Sequence, residues 1–360
     1  MTAKNLPSLN GLRALSISFV LVNHIFFKTL GYTTIPGGQI GVNIFFIVSG
    51  FLITYLLLDE EKNTGSINLK NFYLRRILRI FPAYYFLLFT YFILQLAGIL
   101  YFHTNSWITS LTYTKYFPIP NASEWESEHL WSLSIEEHFY LLWPFIFKFL
   151  KHNRVRIAIL IILLIPIVRI FNFMNSLGSF NGENTIFQRG DALMTGCLLA
   201  FYREEISNWL HRFIMKYKFM IFAPLFGLII SVVLMSIVSR HTDSLLIGGI
   251  IRALGRSFGT ITNIFVCLVI LISINFKNNS WYRFLNTGLM NYAGKISYSL
   301  YIWQQLFFSD HLGVLSQFPI NIICIFITAI LSYHFLEKPF LSLKSKFEVR
   351  KSAERNCMNL

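Results

Sequence analysis

The chain is poor in charge. Only 13% of its 360 residues are Asp, Glu, Lys or Arg, where soluble domains carry about 25%. That shortfall excludes an ordinary soluble fold. Acidic residues are the scarcer sign, 17 against 31 Lys and Arg. Cysteine is scarce too. The four cysteines, Cys197, Cys267, Cys324 and Cys357, form no close pair, and three lie in apolar stretches. This excludes a disulfide framework and a zinc site. No repeat and no low-complexity tract is visible. No charged start followed by a cleavage site opens the chain, so the first apolar span is expected to stay as an anchor.

What remains is apolar. Hydrophobic residues make up 54% of the chain and aromatic residues 17%, with 37 Phe, and the mean hydropathy is +0.54. This composition describes an all-α, polytopic membrane protein. A bilayer-crossing helix needs roughly 20 mostly apolar residues. Ten stretches qualify, near 11–30, 40–58, 81–102, 130–150, 156–174, 186–202, 219–238, 250–274, 289–308 and 319–336. The spans run almost to the end, so residues 1–340 read as one transmembrane domain. The basic segment 341–360 reads as a solvated, partly disordered tail.

An even number of spans puts both termini on one side. With the termini in the cytoplasm, Lys62, Lys70, Arg75, Arg76, Arg79, Lys148, Lys151, Arg154, Arg156, Arg203, Arg212, Lys216, Lys218, Lys277, Arg283, Lys4 and the basic tail all fall inside. Only Lys28, Lys115 and Arg240 remain in outer loops. That asymmetry is the membrane bias of Lys and Arg. It accounts for the net charge of +14 without nucleic acid as a partner. The longest outer loop, about 103–129, carries Trp107, Tyr113, Tyr116, Phe117 and Trp125 beside Glu124, Glu126 and Glu128. Rings with carboxylates could hold a sugar, or the rings could anchor the loop at the interface. Asn121-Ala-Ser123 matches a glycosylation sequon.

Ionisable residues inside spans are costly and mark functional candidates. Here they are Arg13, His24, Glu136, Glu137, His138, Arg169, Arg189, Asp191, Arg252, Arg256 and Lys295. Arg13 and His24 are eleven apart, within about 20° on one helical face and roughly 16 Å apart along the axis. Arg13 thus sits near the cytoplasmic end and His24 deep on the same line. In His129-Leu-Trp-Ser-Leu-Ser-Ile-Glu136, His129 shares the face of Glu136, as do Ser132, Tyr140 and Trp143 within about 40°. Glu137 lies to the side and His138 points away. Counted from opposite surfaces, His24 and Glu136 reach depths within about a turn of each other. A buried His beside a carboxylate makes a general-base pair, the carboxylate orienting the ring.

Arg76 and Arg79 are three apart on one face, just before Pro82. With Pro82 opening a helix, two arginines at its N-terminus suit a phosphate or pyrophosphate. The alternative is ordinary positive-inside anchoring. Together these groups point to an anionic ligand from the cytoplasm, a base within the bilayer and a second substrate from outside. A phosphorylated acyl carrier such as acetyl-CoA fits the first, and a hydroxyl acceptor the last.

The same stretches resemble the acyltransferase-3 family of ten-helix membrane enzymes that O-acylate bacterial envelope sugars. Gly11-Leu12-Arg13…His24, Phe45 to Ile53, Arg76 with Arg79, Trp131 to Glu136, Arg189-x-Asp191…Gly196, Ile296 to Trp303 and Glu337 to Phe340 follow the family's motifs in order. The resemblance implies His24 as catalytic base, Glu136 as its partner, and Arg13, Arg76 and Arg79 as acyl-CoA ligands. Ser132, Tyr140, Arg189 and Asp191 become candidates for the substrate path, although Arg189 and Asp191 could instead pair with each other. No metal is implied. Asn43 stands where members often carry Asp, and Gln304 where many carry His. The soluble esterase-like domain of some members has no counterpart here, so the membrane unit is expected to act alone or with a separate partner. The function expected is transfer of an acyl group, acetyl first, to O-antigen, capsule or another lipid-linked saccharide at the bacterial inner membrane. No clear covalent nucleophile stands out; Ser49 and Ser132 are candidates. Two other readings remain: a transporter or flippase for a lipid-linked glycan, whose inverted repeats are not found, and a non-catalytic membrane scaffold.

Overall fold

The structure, a computed structural model, describes residues 6–30, 37–175, 185–217, 222–240, 247–277, 279–344 and 347. The expectations for Lys4, Lys218, most of the 341–360 tail and the side chains of Arg240, Arg252 and Arg256 lie outside the described residues. Among those described, no strand occurs. The chain runs α1 (Leu9–Leu30), α2 (Gly37–Thr64), α3 (Leu69–Leu96), then two short helices α4 (Thr104–Leu111) and α5 (Trp125–Glu128). It continues through α6 (Leu130–Phe149), α7 (Arg154–Asn175), α8 (Ile186–Phe201), α9 (Arg203–Lys216), α10 (Ala223–Arg240) and α11 (Ile247–Asn275). It closes with α12 (Ser280–Leu285), α13 (Gly288–Phe307), α14 (Ile320–Ser332), a π-helical turn (Tyr333–Glu337) and α15 (Lys338–Lys344).

Among the described residues four helical stretches are long and apolar enough to cross a bilayer: Leu9–Lys28, Gly37–Thr64, Leu69–Leu96 and Ile320–Lys344. Their surroundings explain the composition. On α3, Phe72, Arg76, Ile80, Ala83, Tyr84, Leu87, Leu88 and Tyr91 are buried at helical spacing. The opposite face leaves Phe86, Phe89, Phe92, Ile93 and Leu96 exposed, and Leu163 and Phe171 of α7 are 62% and 65% exposed. Each such side chain left in water forfeits about 1.5–3 kcal/mol. Lipid removes that cost, and a rim this apolar belongs in a membrane.

Close helix contact depends on two glycines. Gly50 of α2 lies on the backbone of Leu193 in α8, and Gly196 of α8 lies on the backbone of Ile47 and Phe51. A Cβ at either position would collide with main chain, so small residues let these helices approach. Helix α6 is fastened to α2 by Trp143 Nε1, which donates to Thr54 Oγ1 at 2.9 Å. It is fastened to α3 by Tyr73 Oη, which donates to the Leu141 carbonyl at 2.9 Å.

The start of α3 differs from the sequence reading. The helix opens at Leu69, not at Pro82, because Asn68 caps it: its side chain accepts from the Asn71 amide at 3.0 Å. Glu60 of α2 then holds the turn, accepting from the Asn68 amide at 2.9 Å and pairing with Arg75 at 2.8 Å. Pro82 is interior. Arg76 and Arg79 therefore project from within α3 and not from a helix N-terminus.

Candidate active site

Helices α1, α2, α3, α6 and α13 enclose a cavity of about 740 Å³, its open mouth included. Its polar lining is Arg13 from α1, Ser49 from α2, Arg76 and Arg79 from α3, Ser132, Glu136 and Tyr140 from α6, and Tyr298 and Tyr301 from α13. Phe45, Phe46 and Leu52 are among its apolar walls. Six of the residues expected to act together thus meet on one surface. Ser132, Glu136 and Tyr140 come together because they lie four apart on one face of α6.

Arg13 is fixed by the start of its helix. The amide of Ser8 donates to Asn286 Oδ1 at 3.0 Å, and Asn286 Nδ2 donates back to Ser8 Oγ at 2.7 Å. This reciprocal pair sets the register of α1 against the end of α12. Arg76 is 6% exposed and lies over the rings of Phe72 and Tyr140, 5.5 and 5.6 Å from their centroids. Its Nε has no hydrogen-bond partner. Among the described residues none of Arg13, Arg76 and Arg79 forms an ion pair or a hydrogen bond with protein. Cation–π contacts supply about 0.5–2 kcal/mol each, whereas desolvating an ion costs several. The cavity thus gathers three arginines with one carboxylate, Glu136, and leaves their guanidiniums without direct partners, a surface suited to an anion.

The carboxylate of Glu136 is not spent on those arginines. Its Oε1 accepts from Ser49 Oγ at 2.6 Å, and Tyr140 Oη donates to the same Ser49 Oγ at 3.2 Å. Beside it, Ser132 Oγ and Tyr301 Oη are 2.6 Å apart, and Tyr301 Oη donates to the His129 carbonyl at 3.0 Å.

His24 stands apart from this lining. Its Nδ1 lies 2.8 Å from Gln304 Oε1, and its ring packs against Trp125 and Phe308 at centroid distances of 6.0 and 5.6 Å. No direct hydrogen bond joins His24 to Glu136: the ring is held by Gln304, and the carboxylate by Ser49. An amide oxygen only accepts, so in this arrangement Nδ1 carries the proton and Nε2 keeps its lone pair. Several buried polar atoms lack partners nearby in sequence and fold, among them Gln304 Nε2, Trp303 Nε1 and His129 Nδ1. Each costs about 1–3 kcal/mol unless something fills its valence.

Arg189 and Asp191 lie outside the cavity lining. Asp191 is fully buried and pairs with Arg169 of α7 at 2.6 Å. Its other oxygen accepts from Thr260 at 2.6 Å and Asn263 at 3.2 Å, both on α11. This network binds α7, α8 and α11, and the Arg169 partner was not anticipated. His138 turns away as expected, bonding the Ser134 carbonyl at 2.8 Å.

The long loop uses its polar groups to hold itself. Glu124 accepts from the His103 amide at 2.8 Å, Glu126 from Ser309 at 2.5 Å, and Trp107 donates to Gln95 at 2.9 Å. Lys115 is buried, donating to Ser106 and Ser127 at 2.6 and 2.7 Å. Burial pushes its pKa down to about 8, with Glu124 opposing. These contacts occupy the polar groups of the loop, and Trp125 is the one of its rings packed against His24. The residues least visible in sequence were Gln304, noticed only as an oddity, and the two tyrosines of α13. Their signal was the three-residue spacing of Tyr298 and Tyr301, which puts both on one face. Among the described residues no group of three or more His, Cys, Asp or Glu is placed to hold a metal ion.

A lipid-facing helical bundle around an arginine-lined, carboxylate-bearing cavity describes a membrane protein with a polar site inside its apolar body. The chain belongs to the acyltransferase-3 family: the model described as an acyltransferase domain matches residues 6–335. It is 31% identical over 366 aligned residues to the O-acetyltransferase OatA of Staphylococcus aureus (strain NCTC 8325 / PS 47), covering 93% of this chain and 57% of the relative. It is 29% identical over 363 residues to the putative O-acetyltransferase SACOL0978 of Staphylococcus aureus (strain COL), with the same coverage. The chain thus spans little more than half the length of these curated relatives. No solved structure matches it.

Proposed function

We propose that the protein is a membrane O-acetyltransferase, taking acetyl from acetyl-CoA on the cytoplasmic side and passing it to a hydroxyl of a cell-surface or lipid-linked saccharide such as O-antigen or capsule. The reading includes ten spans, both termini in the cytoplasm of a bacterial inner membrane, and a tail over 341–360. The observation that carries it is the group of three arginines, Arg13, Arg76 and Arg79, which make no ion pair or hydrogen bond among the described residues, in the same cavity as Glu136. The phosphates of acetyl-CoA supply the missing charge, and charge-assisted bonds to guanidinium suit them. The names of the relatives support the acetyl group.

His24 and Glu136 form the catalytic pair, Glu136 within the cavity lining and His24 outside it. His24 accepts the acceptor's proton at Nε2, with Gln304 fixing the tautomer through Nδ1. Gln304 in place of the family's His is thus compatible with base catalysis. Glu136 works on the donor side, where Ser132 and Tyr140 line the path of the thioester. The test is transfer of labelled acetyl from acetyl-CoA to the surface glycan by purified protein in proteoliposomes. His24→Ala should abolish transfer while leaving the thermal unfolding midpoint unchanged. Full turnover by that variant would remove His24 as the base.

A further inference from the structure

Ser49 stands in a relation that a merely structural serine does not need. It lines the cationic cavity, its Oγ donates to Glu136 Oε1 at 2.6 Å, and the Oγ lone pairs receive Tyr140 Oη at 3.2 Å. A hydroxyl within reach of a carboxylate, with that geometry fixed by a third group, is the arrangement of an activated nucleophile. The position is rigid. Gly50, next along α2, is pressed on the backbone of Leu193, and Trp143 ties α6 to Thr54 of α2 just below. Ser49 and Glu136 therefore keep their register. Ser132, the other serine of the cavity, is engaged with Tyr301 and the His129 carbonyl and makes no hydrogen bond to a carboxylate.

We propose that Ser49 is the acyl carrier of this enzyme: it takes the acetyl group from acetyl-CoA as an ester before the acceptor receives it. This rests on the acetyl-CoA reading above and deepens it. In the first step Ser49 Oγ attacks the thioester carbonyl carbon, and its proton passes to Glu136. The Oγ–acetyl bond forms, the carbon–sulfur bond breaks, and CoA leaves as the thiol with the proton from Glu136. In the second step the acceptor hydroxyl, deprotonated by His24, attacks the Ser49 ester. The acetyl moves to the acceptor oxygen, the bond to Ser49 Oγ breaks, the proton taken by His24 passes to Ser49 Oγ, and the enzyme is restored. Tyr140 supports Ser49 Oγ each time it carries charge.

An ester on Ser49 lets CoA leave before the acceptor is engaged, so donor and acceptor need not occupy the cavity together.

The experiment incubates purified protein with labelled acetyl-CoA and no acceptor, then maps the label by peptide mass spectrometry. CoA binding is followed in parallel by calorimetry. The expected result is one acetyl group on the peptide bearing Ser49, with a burst of CoA equal to the protein present. Ser49→Ala should bind CoA within twofold of the wild type and lose the label. Ser49→Cys should carry the label as a thioester cleaved by neutral hydroxylamine, which separates chemistry from folding. Intact CoA binding with the label on another residue, or with none, overturns the assignment of Ser49 and leaves the donor reading standing. Absence of CoA binding by the wild type overturns both.

Discussion

His24 Nδ1 is hydrogen-bonded to Gln304 Oε1 at 2.8 Å, joining α1 to α13 across 280 positions of sequence. The bond leaves one ring nitrogen for chemistry and fixes which one.

Gln304→Leu should therefore leave His24 in place but unoriented. The expected loss is about tenfold to a hundredfold in kcat, by analogy with removal of groups that orient a functional histidine. CoA affinity, if set by the arginine cavity, which neither His24 nor Gln304 lines, should be unchanged. Gln304→Asn restoring nothing, and Gln304→His restoring much, would fit the same account. A variant with wild-type kcat would show that the bond is only packing.

Arg76→Ala and Arg79→Ala should each weaken CoA binding about tenfold or more, as expected for a lost hydrogen bond between charged groups. The defect should narrow for dephospho-CoA if the lost contact was to the 3′-phosphate. Titration calorimetry in detergent reads this directly. Unchanged affinity would make both residues anchors of the membrane interface.

Asp191 and Arg169 form a buried pair, their side chains 0% and 7% exposed. Removing one partner of such a pair costs about 3–5 kcal/mol because the other charge stays buried and uncompensated. Asp191→Leu should lower the unfolding midpoint sharply, and the double substitution Arg169→Met with Asp191→Leu should recover much of it. Loss of transfer at normal stability would instead restore Asp191 to the acceptor path.

Lys115 gives the loop between α4 and α5 a pH dependence of known sign. Its ordinary pKa of 10.5 falls to about 8 in the folded loop. Between those values the unfolded chain holds a proton that the folded one has released, so stability rises with pH across the window. Below about pH 8 both states are charged and the dependence disappears. Limited proteolysis between α4 and α5 should slow from pH 8 to 10, and Lys115→Met should flatten the trend. A loop that opens more readily at pH 10 would contradict the burial of Lys115.

The fold class and much of the site could be read from spacing. Helical periodicity alone puts Ser132, Glu136 and Tyr140 on one face, and the cavity uses that face. Arg13, Arg76 and Arg79 were recognisable as cations where cations are costly. The start of α3 was hidden because its first turns are polar; they are stabilised by Glu60 and by the Asn68 cap, which no apolar window registers. The partners of His24 and Asp191 were hidden for a different reason. Gln304 and Arg169 meet them through tertiary contacts, and local pattern carries no information on which of several buried polar residues will face each other.

The central claim is that the arginine cavity is the seat of acetyl-CoA. A structure determined with bound CoA tests it most directly. The account predicts phosphates among Arg13, Arg76 and Arg79 and the sulfur beside Ser49 and Glu136. CoA bound elsewhere, with lipid filling that cavity, would contradict it.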